Sequence, residues 1–304
     1  MTHPMTSPGA PDRRLFRLLW LSIAAALATI GLKSTAYLLT GSVGLLSDAA
    51  ESLVNLVAAV VALGALAWAS KPADEEHAFG HTKAEYLSAG AEGMMIFVAA
   101  ISIAVTAIDR LKHPQPVESV GFGLLLSTGA SVINLVVGLL LLRTGRSHRS
   151  IILEADGKHL MTDVWTSVGV IVVAAVAITG WELLDPLIAL AVAANIVYTG
   201  VGLLRRSIGG LMDRALPEPE QAQIREVLRT RESPSVHIYD VRTRQAGQQA
   251  FVTVRARVPG DWTIRHGHDL VEQIAADLRQ ELPHAVVSTH LEPQEPLAQH
   301  SGGQ

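Results

Sequence analysis

Four residues in two apolar stretches of this chain have the types and spacing to hold a cation. In E-A-D-G-K-H-L-M-T-D-V-W-T-S-V-G-V, residues 154–170, His159 and Asp163 stand four apart. At helical spacing an imidazole and a carboxylate then share one face, one turn apart. In S-V-G-L-L-S-D-A-A-E-S-L-V-N-L-V-A-A-V-V-A-L, Glu51 and Asn55 repeat that spacing. Ionisable side chains inside apolar runs of membrane length are costly and mark function by default. Two such pairs on two helices could form a four-ligand cage for a divalent metal. The blander reading of the same four residues is a polar clamp between helices.

The composition says what must carry those pairs. Of 304 residues, 49% are hydrophobic and 17% charged, with a mean hydropathy of +0.32, which is too apolar for an ordinary soluble protein. With no cysteine, disulfides and thiolate metal sites are excluded; twelve histidines leave His, Asp, Glu, Asn and backbone oxygens as ligands. A net charge of −4 argues against a nucleic-acid partner. Small residues are abundant, as close packing of membrane helices requires.

Residues 1–12 are polar and Pro-rich and are expected to be disordered. The first apolar run is too long for a signal peptide and several more follow. Six spans are expected, near 15–39, 43–70, 85–111, 119–142, 151–179 and 183–212. Lys33 lies inside the first, where it snorkels or pairs within the bundle. Met94, Met95, Asn134 and Asn195 read as packing or inter-helix hydrogen bonds.

Loop charges set an expected orientation. Arg13, Arg14, Arg17, Lys71, Lys83, Arg143, Arg146, Arg149, Arg205, Arg206 and Arg214 fall on one side, and chiefly Arg110 and Lys112 on the other. By the positive-inside rule both termini are cytoplasmic, and Trp181 sits in an outer turn as an interfacial anchor. Glu51 then lies roughly 12 Å in from the outer end of its span, and His159 about as far from the inner end of its own. In a hydrocarbon core about 30 Å thick the two pairs approach the midplane from opposite ends and can meet.

Beyond Met212 the character changes. P-E-P-E-Q-A-Q-I-R-E-V-L starts a helix, V-H-I-Y-D-V-R-T-R and Q-A-F-V-T-V-R-A-R-V alternate as two strands around A-G-Q, H-G-H-D-L-V-E-Q-I-A-A-D-L-R-Q-E-L is an amphipathic helix, and A-V-V-S-T-H-L-E is a last strand. The order αββαβ suggests a small two-layer α+β domain. The expected division is therefore 1–12 disordered, 13–213 membrane, 214–295 soluble and 296–304 a disordered tail.

Five separated motifs, T-G-S-V-G-L-L-S-D-A-A-E-S-L-V-N, D-E-E-H-A-F-G-H-T-K-A-E, H-L-M-T-D, M-D-R-A-L-P and T-H-L-E-P, occur in an order and spacing that resemble the cation diffusion facilitator family of metal/proton antiporters. The resemblance covers nearly the whole chain. It implies six transmembrane helices with a cytoplasmic ferredoxin-like domain, usually a homodimer, and a transport site at Glu51, Asn55, His159 and Asp163. Zinc-transporting members commonly place His or Asp where this chain has Glu51, and Asp where it has Asn55. One imidazole, two carboxylates and one amide suit zinc and also admit iron, cobalt or manganese. Asp48, on the face of Glu51 and Asn55, is expected to start the helix or support the ligands.

By the same resemblance Asp74, His77 and His81 match a second, cytoplasmic metal site, against a solvated loop in which Gly80 makes a turn. His268, His290 and Glu292 stand where the family has ligands of a cytoplasmic centre, but Tyr239 and Arg255 replace histidines, so one metal or none is expected there. His237, two residues before Tyr239, reads as a solvent-facing histidine rather than a substitute. Lys83 and Asp213 match a charge pair that locks two helices.

The expected activity is export of a divalent metal, zinc favoured, in exchange for protons, by a non-enzyme that needs no cofactor and sits in a bilayer, with a bacterial inner membrane suiting so short a chain. Two rivals stand beside it: a proton-coupled carrier of an organic solute, and a non-transporting metal sensor. A membrane enzyme fits least, because no phosphate-binding loop or nucleophile motif is present.

Overall fold

A computed structural model describes residues 13–40, 43–112, 122–177 and 184–294. Trp181, and the side chains of Asp48 and Arg110, fall outside the described residues. The chain divides into two compact units, residues 1–211 and 212–304.

The first unit holds six long helices: α1 (Arg13–Thr40), α2 (Val43–Ala69), α3 (Ala84–Lys112), α4 (Phe122–Ser147), α5 (Ile151–Ala177) and α6 (Leu184–Leu211). Each is 26 to 29 residues, enough to cross a hydrocarbon core with some tilt. Five of them are apolar enough over their described residues to cross a membrane; in α5 the charged residues Glu154, Asp156, Lys158 and Asp163, with His159, all lie in the first half of the helix. The fourth helix continues through Arg143 to Ser147, past the end expected near 142. Charged residues end an apolar span without ending a helix, and Gly145 is accommodated because helix α5 packs against it.

The fifth helix is the centre of the bundle. One apolar layer joins Leu15 and Leu19 of α1, Leu66 of α2 and Leu141 of α4 to Ile152, Leu153 and Leu160 of α5. A second joins Ile96 of α3 and Ile196 and Leu203 of α6 to Ile151 and Ala155 of α5. Residues 151–157 are therefore buried all round, as the charge pattern of this stretch demands in hydrocarbon. The outward faces carry Trp20, Leu27, Val61, Val98, Val136 and Tyr198, all exposed, as lipid contact requires. Met94 belongs with them at 52% exposure rather than with the packed interior.

Close approach of α4 to α5 rests on glycine. A Cβ at Gly157 would meet the Gly138 carbonyl and the Leu142 amide at 3.0 Å, and one at Gly145 would meet the Glu154 amide at 2.8 Å. Small residues let the backbones touch where dispersion, not hydrophobic exclusion, holds helices together.

The second unit runs α7 (Glu218–Arg229), β1 (His237–Ala246), β2 (Gln249–Val258), α8 (Ile264–Glu281) and β3 (Ala285–Pro293). Strands β1 and β2 form an antiparallel hairpin through Gly247, whose φ of 58° only glycine takes without strain, and β3 pairs parallel to β2. Alternation on β2 buries Val252, Val254 and Ala256 against Ile224 and Leu228 of α7 and Ile274 and Leu278 of α8. Thr263 caps α8, accepting the His266 N–H at 3.3 Å. This is the αββαβ arrangement that the patterning predicts.

The glycine contact yields a test. Gly157→Leu is expected to destabilise the solubilised protein by about 1–3 kcal/mol or more through overpacking. Gly31→Leu, at an exposed position with nothing within 4 Å, is expected to be near neutral. Thermal melting in detergent reads both.

Candidate metal site

The α2–α5 contact brings the predicted residues together. His159 Nε2 lies 2.5 Å from Asn55 Oδ1, and Asn55 Nδ2 donates to Asp163 Oδ2. Because an amide oxygen only accepts, His159 carries its proton on Nε2 here. Its Nδ1 is buried without a hydrogen-bond partner. Asn55, His159 and Asp163 are 3%, 6% and 3% exposed, so water contributes little to this chain of contacts. Glu51, one turn from Asn55, is half-buried and close enough for its charge to act on His159.

A fifth residue joins them. Asn134 of α4 donates from Nδ2 to Asp163 Oδ2 at 3.1 Å, and its Oδ1 is buried and unpartnered. The expected inter-helix hydrogen bond is there, but it ends on a site residue. Lys33 is buried at 4% exposure and engaged within the bundle, so it does not snorkel.

Asp74, His77 and His81 form a compact cluster in the connection between α2 and α3. Among the described residues they are the one set of three His or acidic side chains whose ligand atoms lie within 4.8 Å of one another. Asp74 Oδ1 accepts the backbone N–H groups of Glu76 at 3.1 Å and His77 at 2.7 Å, the local turn its short carboxylate favours. The imidazoles of His77 and His81 stand 4.3 Å apart. His81 Nδ1 lies 3.2 Å from the Pro72 carbonyl and its Nε2 lies 3.3 Å from Asp74 Oδ2, so the ring is held between the two. The Asp74 carboxyl is held below the usual carboxylate range, first by the His77 N–H and then by the two imidazoles. Gly80, at φ 81°, turns the chain back.

The C-terminal unit treats its candidates differently. His290 Nε2 lies 3.6 Å from Glu292, but His268 is exposed on α8 and the three do not gather as the loop residues do. Register explains what Glu292 meets instead: Tyr239, Arg255 and His290 form one cross-strand row, and His237, Arg257 and Glu292 the next. Tyr239 donates its hydroxyl to Glu292, while Arg257 and Arg255 lie 3.8 and 3.9 Å from it. The tyrosine bond and the guanidinium charges hold the Glu292 carboxyl below its ordinary range. Arg257 also covers the Tyr239 ring at 4.2 Å, and Arg255 reaches Asp240 at 3.4 Å. His237 stacks on the same ring and is exposed. Within each unit the remaining pair is engaged: Lys83 donates to the Leu211 carbonyl at 3.2 Å, and Asp213 accepts from Arg244 at 3.0 Å.

The family profile described as the cation efflux transmembrane domain matches residues 19–212, and that of the cation efflux protein cytoplasmic domain matches 216–294. The chain belongs to the cation efflux, or cation diffusion facilitator, family. Relatives in this family include an uncharacterized transporter, sll1263, of Synechocystis, 51% identical over 90% of this chain and 89% of its own. The cation-efflux pumps FieF of Shewanella oneidensis and Serratia proteamaculans are 31% and 33% identical, over 90% and 89% of this chain and 92% and 90% of theirs. Among solved structures the C-terminal unit is similar to CzrB, 30% identical over 26% of this chain and 99% of that one at a TM-score of 0.25. It is also similar to the metal-bound C-terminal domain of the CzcD transporter of Thermotoga maritima, 25% identical over 26% and 92% at a TM-score of 0.24. The protein is thus a membrane transporter of the cation efflux family, not an enzyme.

Two acids that sequence reasoning passed over lie near the candidate site of this cation efflux protein, Asp156 acting on His159 and also on Glu92. Glu92 of α3 and Asp156 of α5 are each 2% exposed. The available signal was the same as for His159: a charge within an apolar run, and for Asp156 a position one turn before the histidine.

The loop geometry carries a pH prediction. A depressed Asp74 contributes local stability that is present above its unfolded value and lost as pH falls through the folded one. Asp74→Ala is therefore expected to speed amide exchange of residues 74–80 at pH 6–7. The difference from the parent should vanish in acid, where both carry no charge at that position; hydrogen-exchange mass spectrometry reads it.

Proposed function

We propose that this chain is a metal(II)/proton antiporter that exports a divalent transition metal from the cytoplasm, with zinc ahead of iron(II), cobalt and manganese. The observation that carries this reading is the buried His159–Asn55–Asp163 chain between α2 and α5, with Glu51 one turn away. A hydrogen-bonded set of this kind changes partners without changing place. Metal requires His159 with an open lone pair and Glu51 and Asp163 ionised, so protons and metal compete for the same atoms. Proton return through a site that opens alternately to the two faces would discharge the metal outward. One imidazole with two carboxylates favours zinc, and the oxygen-rich balance leaves iron(II), cobalt and manganese as lesser substrates.

In this reading both termini are cytoplasmic, as the loop arginines support, and the bacterial relatives suit an inner membrane. The Asp74, His77 and His81 cluster is a cytoplasmic metal site, held ready by the Asp74 turn. Residues 214–295 support a homodimer. Arg255 and Arg257 already neutralise Glu292, so a metal at His268, His290 and Glu292 has little left to bind.

The test is uptake into inside-out vesicles offered zinc, iron(II), cobalt and manganese separately, with and without a pH gradient. Gradient-driven uptake of zinc above the others, abolished in His159→Ala and Asp163→Ala, is expected. Asn134→Ala, which removes support from Asp163 without removing a ligand, is expected to cost about 10-fold or more in apparent affinity. Folded protein that takes up no metal would leave the sensor or the organic-solute carrier.

A further inference from the structure

Glu92 is the one carboxylate among the described residues with both oxygens buried and neither hydrogen-bonded. Asp156, on the helix α5 that packs against α3, is close enough for its charge to act on Glu92, and its Oδ2 is buried and unpartnered as well. The other polar group reaching Asp156 is the Ser22 hydroxyl of α1, itself 1% exposed. No Lys or Arg of the described residues acts on either acid; His159 is the only other ionisable group that does, and it acts on Asp156. The nearby cations are committed elsewhere: Arg206 makes a two-pronged contact with Glu154, one arm at 3.1 Å, and Lys158 sits among Arg206, Glu154 and Arg146.

Two like-charged groups at membrane depth without a counter-charge are unstable as they stand. Neighbouring buried acids show what satisfaction looks like here. Glu154 has Arg206, and Asp163 has two asparagine donors. Glu92 and Asp156 instead leave three oxygens unused, and His159, one turn on from Asp156, leaves its Nδ1 unused as well. Position along the helices adds direction. Asp156 lies roughly 7 Å from the start of α5, and Glu92 and His159 each roughly 12 Å from the start of their helices. A cation approaching from the N-terminal ends of α3 and α5 meets the acid pair no later than the histidine.

We infer that Glu92 and Asp156, with the Ser22 hydroxyl, form a second intramembrane binding station for a divalent metal, from which the ion passes to His159. Two carboxylates balance one dication, and hard oxygen donors with a water or hydroxyl completing the shell suit zinc, manganese, cobalt or iron(II). The direction of passage, from the cytoplasm inward, rests on the transport reading above; the existence of the station does not.

The experiment counts metal in full-length protein in detergent. A background with Asp74→Ala, His77→Ala, Asn55→Ala and Asp163→Ala silences the loop and the α2–α5 ligands, and radiolabelled zinc is measured by equilibrium dialysis with and without Glu92→Gln and Asp156→Asn. A loss of one equivalent per chain on adding the pair is expected. An unchanged count overturns the station and assigns the two acids to protons alone. Should the double variant not fold, Glu92→Gln alone, which keeps shape and removes charge, is read in the same way, together with zinc-dependent elevation of the melting temperature in the background and its loss in Glu92→Gln. Because the count requires no transport, vesicles that fail to pump while the equivalent is lost would refute the antiport and leave the station. Vesicles that pump while the count is unchanged would do the reverse.

Discussion

The contact between α2 and α5 is the constraint on which the rest of the membrane unit depends. Asn55, His159 and Asp163 cannot turn to water, so each must find its partner on the opposing helix. That requirement places α5 inside the bundle. The helix then serves both apolar layers, one with α1, α2 and α4 and one with α3 and α6. Glycines at 138, 145 and 157 follow from the same demand, because α4 must come close enough for Asn134 to reach Asp163.

The same donor types behave differently in three surroundings. At α2–α5 they are dry and bonded to one another, so each donor atom is held by a protein partner rather than by water. In the 72–82 connection Asp74 is exposed, ionised and oriented by backbone N–H groups, and it holds two imidazoles in register. On the sheet of the C-terminal unit, Glu292 is ringed by a tyrosine and two guanidiniums. A guanidinium beside a carboxylate supplies the charge that a metal would otherwise supply. Arg255 and Arg257 on β2 thus stabilise that face by pairing with Glu292.

The helices and the αββαβ unit were legible because their signals are local. Runs of 20 or more apolar residues, and alternation over Gln249–Val258, reflect solvent on one side and packing on the other. The pairing of Glu51 and Asn55 with His159 and Asp163 was also legible, because i, i+4 spacing and span polarity both pointed to the midplane. Less accessible were the placements that depend on which face of a helix meets which neighbour. Met94 turned outward, Asn134 turned onto Asp163, and Lys33 stayed inside.

By itself the sequence determined that six long helices precede an α+β unit, that four residues could share a cation, and that no thiolate could take part. Periodicity and composition suffice for that, since they act along the chain. Only the tertiary structure decided that Asn134 supports Asp163, that guanidiniums occupy Glu292, and that Glu92 and Asp156 lie together without a counter-charge. Those facts arise from helices and strands far apart in sequence, where burial removes water as the default partner and leaves each polar atom to whatever the fold brings beside it.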